Sequence, residues 1–208
     1  MGLRLDRGVA AGTFSLDGQV YAVENNLFVL GDDDECLVID APHDLGAISR
    51  LVGSRRLVAI FCTHAHDDHV RVAPALAELF STSVLLHPAD EVLWRELHPH
   101  AGFQPLRDGM SLQIAGTRIE VLHTPGHSPG GVCAYVPSEA TLFSGDTLFQ
   151  GGPGATGRSH SDFPTIIDSI TRRLLVLDPG TVVHPGHGPD TTIGDEAPHL
   201  SEWLTRGH

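Results

Sequence analysis

The feature that most constrains this chain is the run His-Ala-His-Asp-Asp-His at residues 64–69. It follows closely on an apolar segment, Leu57–Phe61, which predicts a buried strand. Because side chains alternate with period two in an extended segment, the first two histidines can point the same way and clamp one metal ion. The acid and the histidine after the turn can face a second ion. The candidate ligands in this run are His64, His66, Asp68 and His69.

Three further candidate ligands lie in glycine-containing turns. These turns are HTPGH at 123–127, SGD at 144–146 and HPGHG at 184–188. His127 would complete the first metal site and His187 the second, which leaves Asp146 as the strong candidate to bridge both. Paired metals about 3.5–4 Å apart are a known hydrolytic arrangement. The chain has 14 histidines, so some clustering is expected by chance. A cluster of this composition still favours hydrolytic or oxidative metal chemistry.

Three polar residues near these motifs are candidates for supporting roles. Asp40 ends a predicted buried strand, where an acid either caps the next turn or orients a ligand histidine, and we favour the second role. The glycine-rich stretch 151–158 lacks the Gly-Lys-Ser/Thr ending of a phosphate-binding loop, so we interpret it as a loop at the mouth of a cleft. Arg158, at its end, could contact an anionic substrate group, and His160 could line the cleft.

The pattern of apolar residues predicts an α+β fold. Val20–Val23 and Leu27–Leu30 flank Glu24-Asn25-Asn26 as a hairpin-like pair, and two further hairpins are predicted between residues 111 and 143. Helices are predicted over residues 44–52, 72–80, 89–97, 164–177 and 196–205. Strands precede helices twice along the chain. We therefore expect two mixed sheets packed face to face with helices outside, in a single domain spanning residues 1–208.

Composition argues against several classes of partner. The 208 residues carry a formal net charge of −13, whereas nucleic acids and anionic membranes need a basic face. No apolar run approaches 18 residues, so no membrane span is predicted, and the N-terminus shows no apolar segment of a secretory signal. The cysteines are Cys36, Cys62 and Cys133, widely spaced and without a CxxC pair. We expect reduced, buried thiols in a cytoplasmic protein.

The order of the motifs resembles the metallo-β-lactamase superfamily, whose fold is a four-layer αββα sandwich with its metals at one edge. The signature HxHxDH at 64–69 is followed in the same order by His127, Asp146 and His187. The segments HTPGHSPGG, FSGDTLF and PGHG are most similar to glyoxalase II and its relatives. The ligand sets that this resemblance implies are His64, His66 and His127 for one metal, Asp68, His69 and His187 for the other, and Asp146 as the bridge.

The resemblance implies two divalent metal ions, Zn²⁺ first with iron as the alternative, since imidazole suits both. The most specific hypothesis is hydrolysis of a thioester of a low-molecular-weight thiol. A metal-bridging hydroxide, held near Asp68 and Asp146, would attack the acyl carbon, so these two are also the candidate catalytic residues. The leaving thiol, with a pKa of about 8.5, can depart as thiolate with little help from an acid.

The carrier thiol is the finer question. Glyoxalase II carries a C-terminal helical region whose basic residues hold glutathione, whereas 20 residues follow HPGHG here and Arg206 is their sole Lys or Arg. The sequence also resembles actinobacterial relatives associated with mycothiol thioesters such as S-formylmycothiol. The resemblance therefore implies S-acyl or S-formyl mycothiol as a substrate.

Other activities stay open on the same ligands. Persulfide dioxygenases share HxHxDH but use one iron, held by the equivalents of His64, His127 and Asp146, and the segment GRSHSDF is similar to their loop. A lactonase or β-lactamase-like hydrolase could also use this set, because ligands alone do not determine the substrate. A metal-binding protein without catalysis is the least favoured reading. We expect a small-molecule partner and neither nucleic acid nor membrane, and the oligomeric state stays open.

Overall fold

Two six-stranded mixed sheets form the framework of the computed structural model, which describes residues 2–207. The first sheet contains, side by side in chain order, β1 (Arg4–Leu16), β2 (Gln19–Gly31), β3 (Glu35–Ile39), β4 (Arg56–Phe61), β5 (Val84–Leu86) and β6 (Gln104–Pro105). Neighbours from β1 to β3 are antiparallel, and neighbours from β3 to β6 are parallel. The parallel half of this sheet needs crossover connections, which helices supply.

The second sheet comes from the later part of the chain. Its first strands are β7 (Ser111–Ile114), β8 (Thr117–His123), β9 (Val132–Val136) and β10 (Thr141–Gly145). A small ribbon follows, made of β11 (Leu148–Phe149) and β12 (Gly152–Pro153), and then come β13 (Val182–Pro185) and β14 (Thr191–Thr192). The spatial order is β14-β13-β10-β9-β8-β7. Only β10 and β13 pair in parallel among these described neighbours.

Short helices connect the strands. Within residues 2–207 the α-helices are α1 (Leu45–Val52), α2 (Asp67–Val70), α3 (Ala73–Phe80), α4 (Glu91–Leu97), α5 (Phe163–Ser169), α6 (Ile193–Glu196) and α7 (Leu200–Arg206). The Asp44 carboxylate accepts from the Ala47 N–H at 2.8 Å, which confirms the predicted start of α1. No helix in the described part of the chain is long and apolar enough to cross a membrane.

Alternation of side chains along the strands divides the core into three layers. In β3, Cys36 and Val38 pack outward toward helices, whereas Leu37 and Ile39 pack inward against the second sheet. Outward packing partners are Ile48, Leu76 and Trp94 on the first sheet and Ile166, Leu174 and Trp203 on the second. The layers run helix, sheet, sheet, helix. This arrangement confirms the predicted α+β fold with two mixed sheets and helices outside.

The predicted hairpin around Glu24-Asn25-Asn26 is wrong. These residues lie in the middle of β2, which runs unbroken and pairs with β1 over its whole length. The real turn is Asp17-Gly18, where both residues have positive φ, as a two-residue hairpin turn requires. The outer half of β2 is exposed and the inner half buried. Because of this change of environment, the sequence of β2 shows the pattern expected of two separate strands.

The C-terminal helix also differs from its prediction over residues 196–205. The segment instead forms α6, a 3₁₀ turn over Ala197–His199, and then α7. Pro198 lies in the 3₁₀ turn, where it has no N–H to continue an α-helical ladder. The predicted helix over 164–177 is α5, which continues as a π-helical segment over Ile170–Leu174.

Candidate metal centre

One edge of the paired sheets collects the strand ends that carry the predicted ligands. The end of β4 leads into residues 64–69, and the end of β8 leads into the turn with His127. Asp146 follows β10 directly, and His187 lies two residues beyond β13. The structure thereby brings together all seven predicted ligands, a set that we call the ligand cluster: His64, His66, Asp68, His69, His127, Asp146 and His187.

The first group within the cluster contains three histidines. Nitrogen atoms of His64, His66 and His127 lie within 4.8 Å of one another. His66 Nδ1 is 3.0 Å from His127 Nε2. The rings of His64 and His127 meet edge to face, with centroids 5.0 Å apart. The three nitrogens therefore surround one point, as the predicted first metal site requires.

The second group contains Asp68, His69 and His187, whose ligand atoms also lie within 4.8 Å of one another. The two Nε2 atoms of His69 and His187 are 3.2 Å apart. His187 Nε2 is 3.2 Å from Asp68 Oδ2. This grouping matches the division of ligands implied by the sequence, and metal binding by these residues stays a prediction.

Asp146 lies between the two groups. Its Oδ1 is 3.3 Å from His69 Nε2, and its Oδ2 is 3.5 Å from the Nε2 atoms of both His127 and His187. Gly186 gives the carboxylate its space, because a Cβ at this position would lie 2.5 Å from Asp146 Oδ1. The carboxylate faces both groups at once, which is the position a bridging ligand would take.

Hydrogen bonds behind three of the histidines determine which ring nitrogen is free. The Nδ1–H of His69 donates to Asp40 Oδ2 at 2.8 Å. His127 Nδ1 donates to the Ala155 carbonyl at 2.8 Å, and His187 Nδ1 donates to the Glu24 carbonyl at 2.7 Å. With the proton on Nδ1, Nε2 is the nitrogen that each ring turns toward the cluster, where it can bind a cation once any proton on it is lost.

His64 reaches the same state through Thr63. The Thr63 hydroxyl donates its one proton to Asp40 Oδ2 at 2.8 Å, so its oxygen can only accept from His64 Nδ1, 3.1 Å away. His64 Nε2 is then an unprotonated acceptor. Asp40, which has a left-handed φ of +59°, thus contacts a predicted ligand histidine directly and a second one through Thr63.

Buried atoms without partners test whether the cluster suits metal ions. Among the described residues, His64 Nε2, His66 Nε2 and Asp146 Oδ1 are buried and have no hydrogen-bond partner. An unpaired buried polar atom costs about 1–3 kcal/mol, and a cation held by these side chains would offset part of that cost. Imidazole nitrogen and carboxylate oxygen are ligands of Zn²⁺ and iron. The residues therefore fit divalent cations.

Burial keeps two of the histidines neutral. It lowers the pKa of His64 well below the ordinary value and lowers the pKa of His66 to about 3. Burial alone would raise the pKa of Asp68, but the charge of His69 and a hydrogen bond from His187 hold it at about 2. These histidines and this carboxylate are already in the protonation states that bind cations.

Two of the remaining groups, His69 and His187, carry protons that a cation would displace. Burial alone would raise the pKa of Asp146, but the charges of His69 and His187 hold it well below its usual range. Burial alone would lower the pKa of His69. The carboxylates of Asp146 and Asp68 raise this pKa by more, so the net shift is upward. The pKa of His187 is raised in the same way. Protons on these two rings balance the carboxylates in the absence of metal.

One residue of the centre was missed by the sequence analysis. Asp90 is fully buried and accepts hydrogen bonds from Ala65 N–H, the Ser128 hydroxyl and Gly130 N–H. It thereby ties the 64–69 run to the turn that carries His127. Burial raises its pKa. An acid just before a helix looks like a cap, and no local signal distinguishes this one.

A cavity of about 290 Å³ opens beside the ligand cluster. Its outer wall, which we call the cavity mouth, consists of Phe14, Tyr21, Val23, Phe149, Ala155 and Arg158. The Arg158 guanidinium lies over the rings of Tyr21 and Phe14, 4.7 and 5.3 Å from their centroids. Arg158 therefore lines the same cavity as the ligand cluster, and its contact with a substrate stays a prediction.

His160 is not brought into this cavity. The chain turns at His160, where φ is +67°. The residue is exposed and lies in a separate depression with the hairpin turn at residues 15–20. Its predicted place in the lining of the cleft is therefore corrected.

Comparison with known proteins places this arrangement among relatives. A family model described as the metallo-beta-lactamase superfamily matches residues 20–187. The chain is 34% identical over 199 residues to "Probable metallo-hydrolase YqgX" of Bacillus subtilis, covering 86% of this chain and 93% of that protein. It is 33% identical over 196 residues to "Hydroxyacylglutathione hydrolase GloC" of Haemophilus influenzae, covering 85% and 92%.

A solved structure that contains metal is also similar to this chain. The crystal structure of TTHA1623 in a di-iron-bound form matches with a TM-score of 0.76 and 35% sequence identity. The match covers 84% of this chain and 93% of that one. Together with the fit of the ligand cluster, it supports divalent metal ions at this edge of the sheets.

Proposed function

The chain belongs to the metallo-β-lactamase superfamily, and from this premise we propose that it hydrolyses the thioester of a low-molecular-weight thiol with the help of two divalent metal ions. One observation carries the proposal. Five imidazoles and two carboxylates converge beside an open cavity, with buried lone pairs that a cation would satisfy. Such a centre is suited to activating water for attack on an acyl group.

Support for a thioester comes from the relative named hydroxyacylglutathione hydrolase, which is similar over most of its length. The carrier thiol we propose is mycothiol, with S-formyl or S-acyl mycothiol as substrate, on the sequence resemblance alone. Zn²⁺ is the metal we expect, and iron is the alternative, since the di-iron neighbour uses a similar fold.

The seven side chains would hold the two cations as two groups bridged by Asp146. Bound divalent cations at such a site lower the pKa of water and polarise a carbonyl oxygen. The carboxylates of Asp68 and Asp146 stay ionised at neutral pH, because the pKa of Asp68 is about 2 and that of Asp146 is well below its usual range. A carboxylate oxygen of either residue can therefore accept a hydrogen bond from the attacking water and orient it, while the proton that the water loses goes to solvent.

The leaving group needs little from the chain. Water adds to the acyl carbon, the carbon–sulfur bond breaks, and the sulfur departs as thiolate because a thiol has a pKa of about 8.5. The sequence contains no lysine, and Asp68 and Asp146 are the acids that line the described cavity. A site without a separate general acid suits a thioester better than an amide, whose amine must be protonated to leave.

The cavity mouth would hold the rest of the substrate. We propose that Arg158, packed against two aromatic rings, binds an anionic group of the carrier thiol. None of the described carboxylates forms an ion pair with this guanidinium. The apolar rings of Phe14 and Phe149 would contact the aliphatic part of the substrate.

Two further proposals concern the chain as a whole. A single domain is supported by a core layer that both sheets share, and one cooperative unfolding transition would test it. A cytoplasmic location is supported by three buried cysteines that form no disulfide. Fractionation of cells that express the full chain would test this location.

The test of the activity is hydrolysis by metal-loaded protein. Purified protein would be given S-acyl and S-formyl mycothiol and S-lactoylglutathione, and the released thiol measured. We expect the protein to hydrolyse a thioester. An oxygen ester with the same acyl group should be hydrolysed much more slowly. Protein that binds two metals yet cleaves no thioester would contradict the proposal.

The same preparation separates the alternatives. Oxygen uptake with a thiol persulfide, by protein holding one iron per chain, would favour a persulfide dioxygenase instead. Hydrolysis of a lactone or a β-lactam faster than any thioester would favour the third hypothesis. Each outcome replaces the substrate and leaves the ligand cluster as described.

A further inference from the structure

The sequence contains only two asparagines, Asn25 and Asn26, and both lie in β2 against the second group of the ligand cluster. We propose that they are positioning residues for that group, Asn25 by orienting the Asp68 carboxylate and Asn26 by holding the loop that carries His187. The inference rests on the proposed function in one respect, since it takes the cluster to bind two metal ions.

Asn25 is 1% exposed and joins two groups through the two ends of its amide. Its Nδ2 donates to Asp68 Oδ2 at 3.0 Å, and its Oδ1 is 2.9 Å from His43 Nε2. An ionised carboxylate can only accept, so the NH₂ end must face Asp68. The carbonyl end then faces His43, whose Nε2 must carry a proton and donate it. The orientation of the amide follows from these two partners.

His43 is therefore the residue that stops the Asn25 amide from turning over. A reversed amide would place its oxygen against Asp68 Oδ2, two acceptors facing each other in a buried site. The ring of His43 is itself held against β1 at Gly12, where a Cβ would lie 2.2 Å from His43 Cγ. A glycine at this point of β1 leaves the space that the ring occupies.

Asn26 holds the His187 loop through three hydrogen bonds. Its backbone N–H donates to the Gly186 carbonyl at 2.8 Å. The two protons of its Nδ2 go to the carbonyls of Pro185 and Gly188, each at 2.9 Å. The Glu24 carbonyl also accepts a hydrogen bond from His187 Nδ1. These four hydrogen bonds hold the loop at His187 and on both sides of it.

The first group is supported elsewhere. Among the described residues, His64, His66 and His127 form no hydrogen bond with residues 24–26 and are held through Thr63, Ala155 and one another. Loss of either asparagine side chain should therefore weaken one metal position and spare the other. This selectivity distinguishes a positioning role from a general contribution to folding.

The experiment titrates the metal-free full chain with Co²⁺ and then with Zn²⁺, using the Co²⁺ absorption spectrum and calorimetry to resolve two equivalents of metal. The first equivalent is the ion bound by the first group of the ligand cluster, and the second equivalent is the ion bound by the second group. We expect Asn25→Ala and Asn26→Ala to weaken the second equivalent roughly 10- to 100-fold, as is typical for residues behind metal ligands. The first equivalent should keep its wild-type affinity. Gln113→Ala, at an exposed position in β7, is the matched control and should change neither.

A pair of variants at His43 tests the orientation argument without touching a predicted ligand. His43→Phe removes the donor and keeps a ring, and we expect it to weaken the second equivalent as Asn25→Ala does. His43→Gln keeps an N–H donor and should restore much of the affinity. Thermal unfolding of each metal-free variant shows whether the chain still folds.

Several results would overturn the inference. Wild-type affinity for both equivalents in the two asparagine variants would do so, as would equal weakening of both equivalents together with a lowered Tm. Identical behaviour of His43→Phe and His43→Gln would remove the orienting role. If the wild-type chain binds only one equivalent, the inference and the two-metal form of the proposed function are both overturned. If the wild-type chain binds two equivalents and the variants bind both with the same affinity, the inference alone is overturned.

Discussion

The ligand cluster and the cavity mouth adjoin each other but differ in how they are held. Four of the cluster residues, those of the 64–69 run, are at most 4% exposed, and most cluster histidines are fixed from behind by a hydrogen bond. At the mouth, Tyr21 is 37% exposed, and Arg158 is held by its contacts with aromatic rings. The comparison teaches that the predicted metal ligands are built into buried structure, whereas the proposed substrate contacts lie on a surface that can change without unfolding the chain.

The largest effect should come from the centre of the ligand cluster. Asp146→Ala removes the one carboxylate that faces both groups. We expect thioester hydrolysis to fall by more than the roughly 100-fold typical of residues behind the ligands, with loss of at least one metal per chain. Activity and elemental analysis on the same sample measure this. Unchanged turnover in a folded variant would break the distinction between cluster and mouth.

The variant Asp90→Ala tests whether the buried hydrogen bonds of Asp90 also stabilise the fold. Asp90→Ala leaves three buried donors without an acceptor, and we expect a loss on the order of 3 kcal/mol in the free energy of unfolding. Urea denaturation of the metal-free protein measures it. Asp168→Ala, at an exposed position in α5, is the control and should be close to neutral. Equal effects of the two variants would show that the support is not specific.

The cluster should also be sensitive to pH. Without metal, the pKa values of His69 and His187 are raised, so metal must displace protons from these rings. Affinity for Zn²⁺ should therefore rise with pH, roughly tenfold per pH unit for each displaced proton, and level off above the raised pKa values. His64 and His66 are already neutral and add nothing to this slope. Calorimetry in two buffers of different ionisation enthalpy counts the protons, and a pH-independent affinity would contradict the expectation.

A smaller effect is expected at the cavity mouth. Arg158→Gln removes a half-exposed cation, whose contact with an anionic group contributes about 1 kcal/mol, or roughly a fivefold increase in KM. The value of kcat and the metal content should stay near those of the wild type. A thioester of an uncharged thiol is the control substrate, and its KM should not change. A loss of kcat without a change in KM would place Arg158 with the ligand cluster instead.

The smallest effect should be that of His160→Ala. The residue is exposed outside the cavity, so metal content, kcat and KM should match the wild type within about twofold. Steady-state kinetics with the best thioester substrate measure this. A large change in KM would extend the cavity mouth to the neighbouring depression.

The grouping of the seven cluster residues could be predicted from sequence because their residue types are those of metal ligands. Four ligands lie within six residues, and the other three lie in glycine-containing turns at strand ends. Asp40 could be predicted as well, because it directly follows a buried strand at the same edge. The layered fold followed from the alternation of apolar residues within each strand.

The hydrogen bonds that hold the residues of the ligand cluster in place could not be predicted in the same way. Asp90 acts through backbone N–H groups of segments 25 and 40 residues away, and such contacts leave no local pattern. Asn25 and Asn26 resemble turn residues, yet in β2 their side chains bond to loops brought near by the fold. Long-range hydrogen bonds of this kind appear only when the strands are placed in space.

The most direct test of the central claim is the number of metal ions bound by the wild-type chain, measured by elemental analysis of protein purified without added metal and after equilibrium dialysis against Zn²⁺. We expect two divalent ions per chain after dialysis, falling to one or none in Asp146→Ala. A single tightly held iron per chain, unaffected by added Zn²⁺, would contradict the account of a bridged pair.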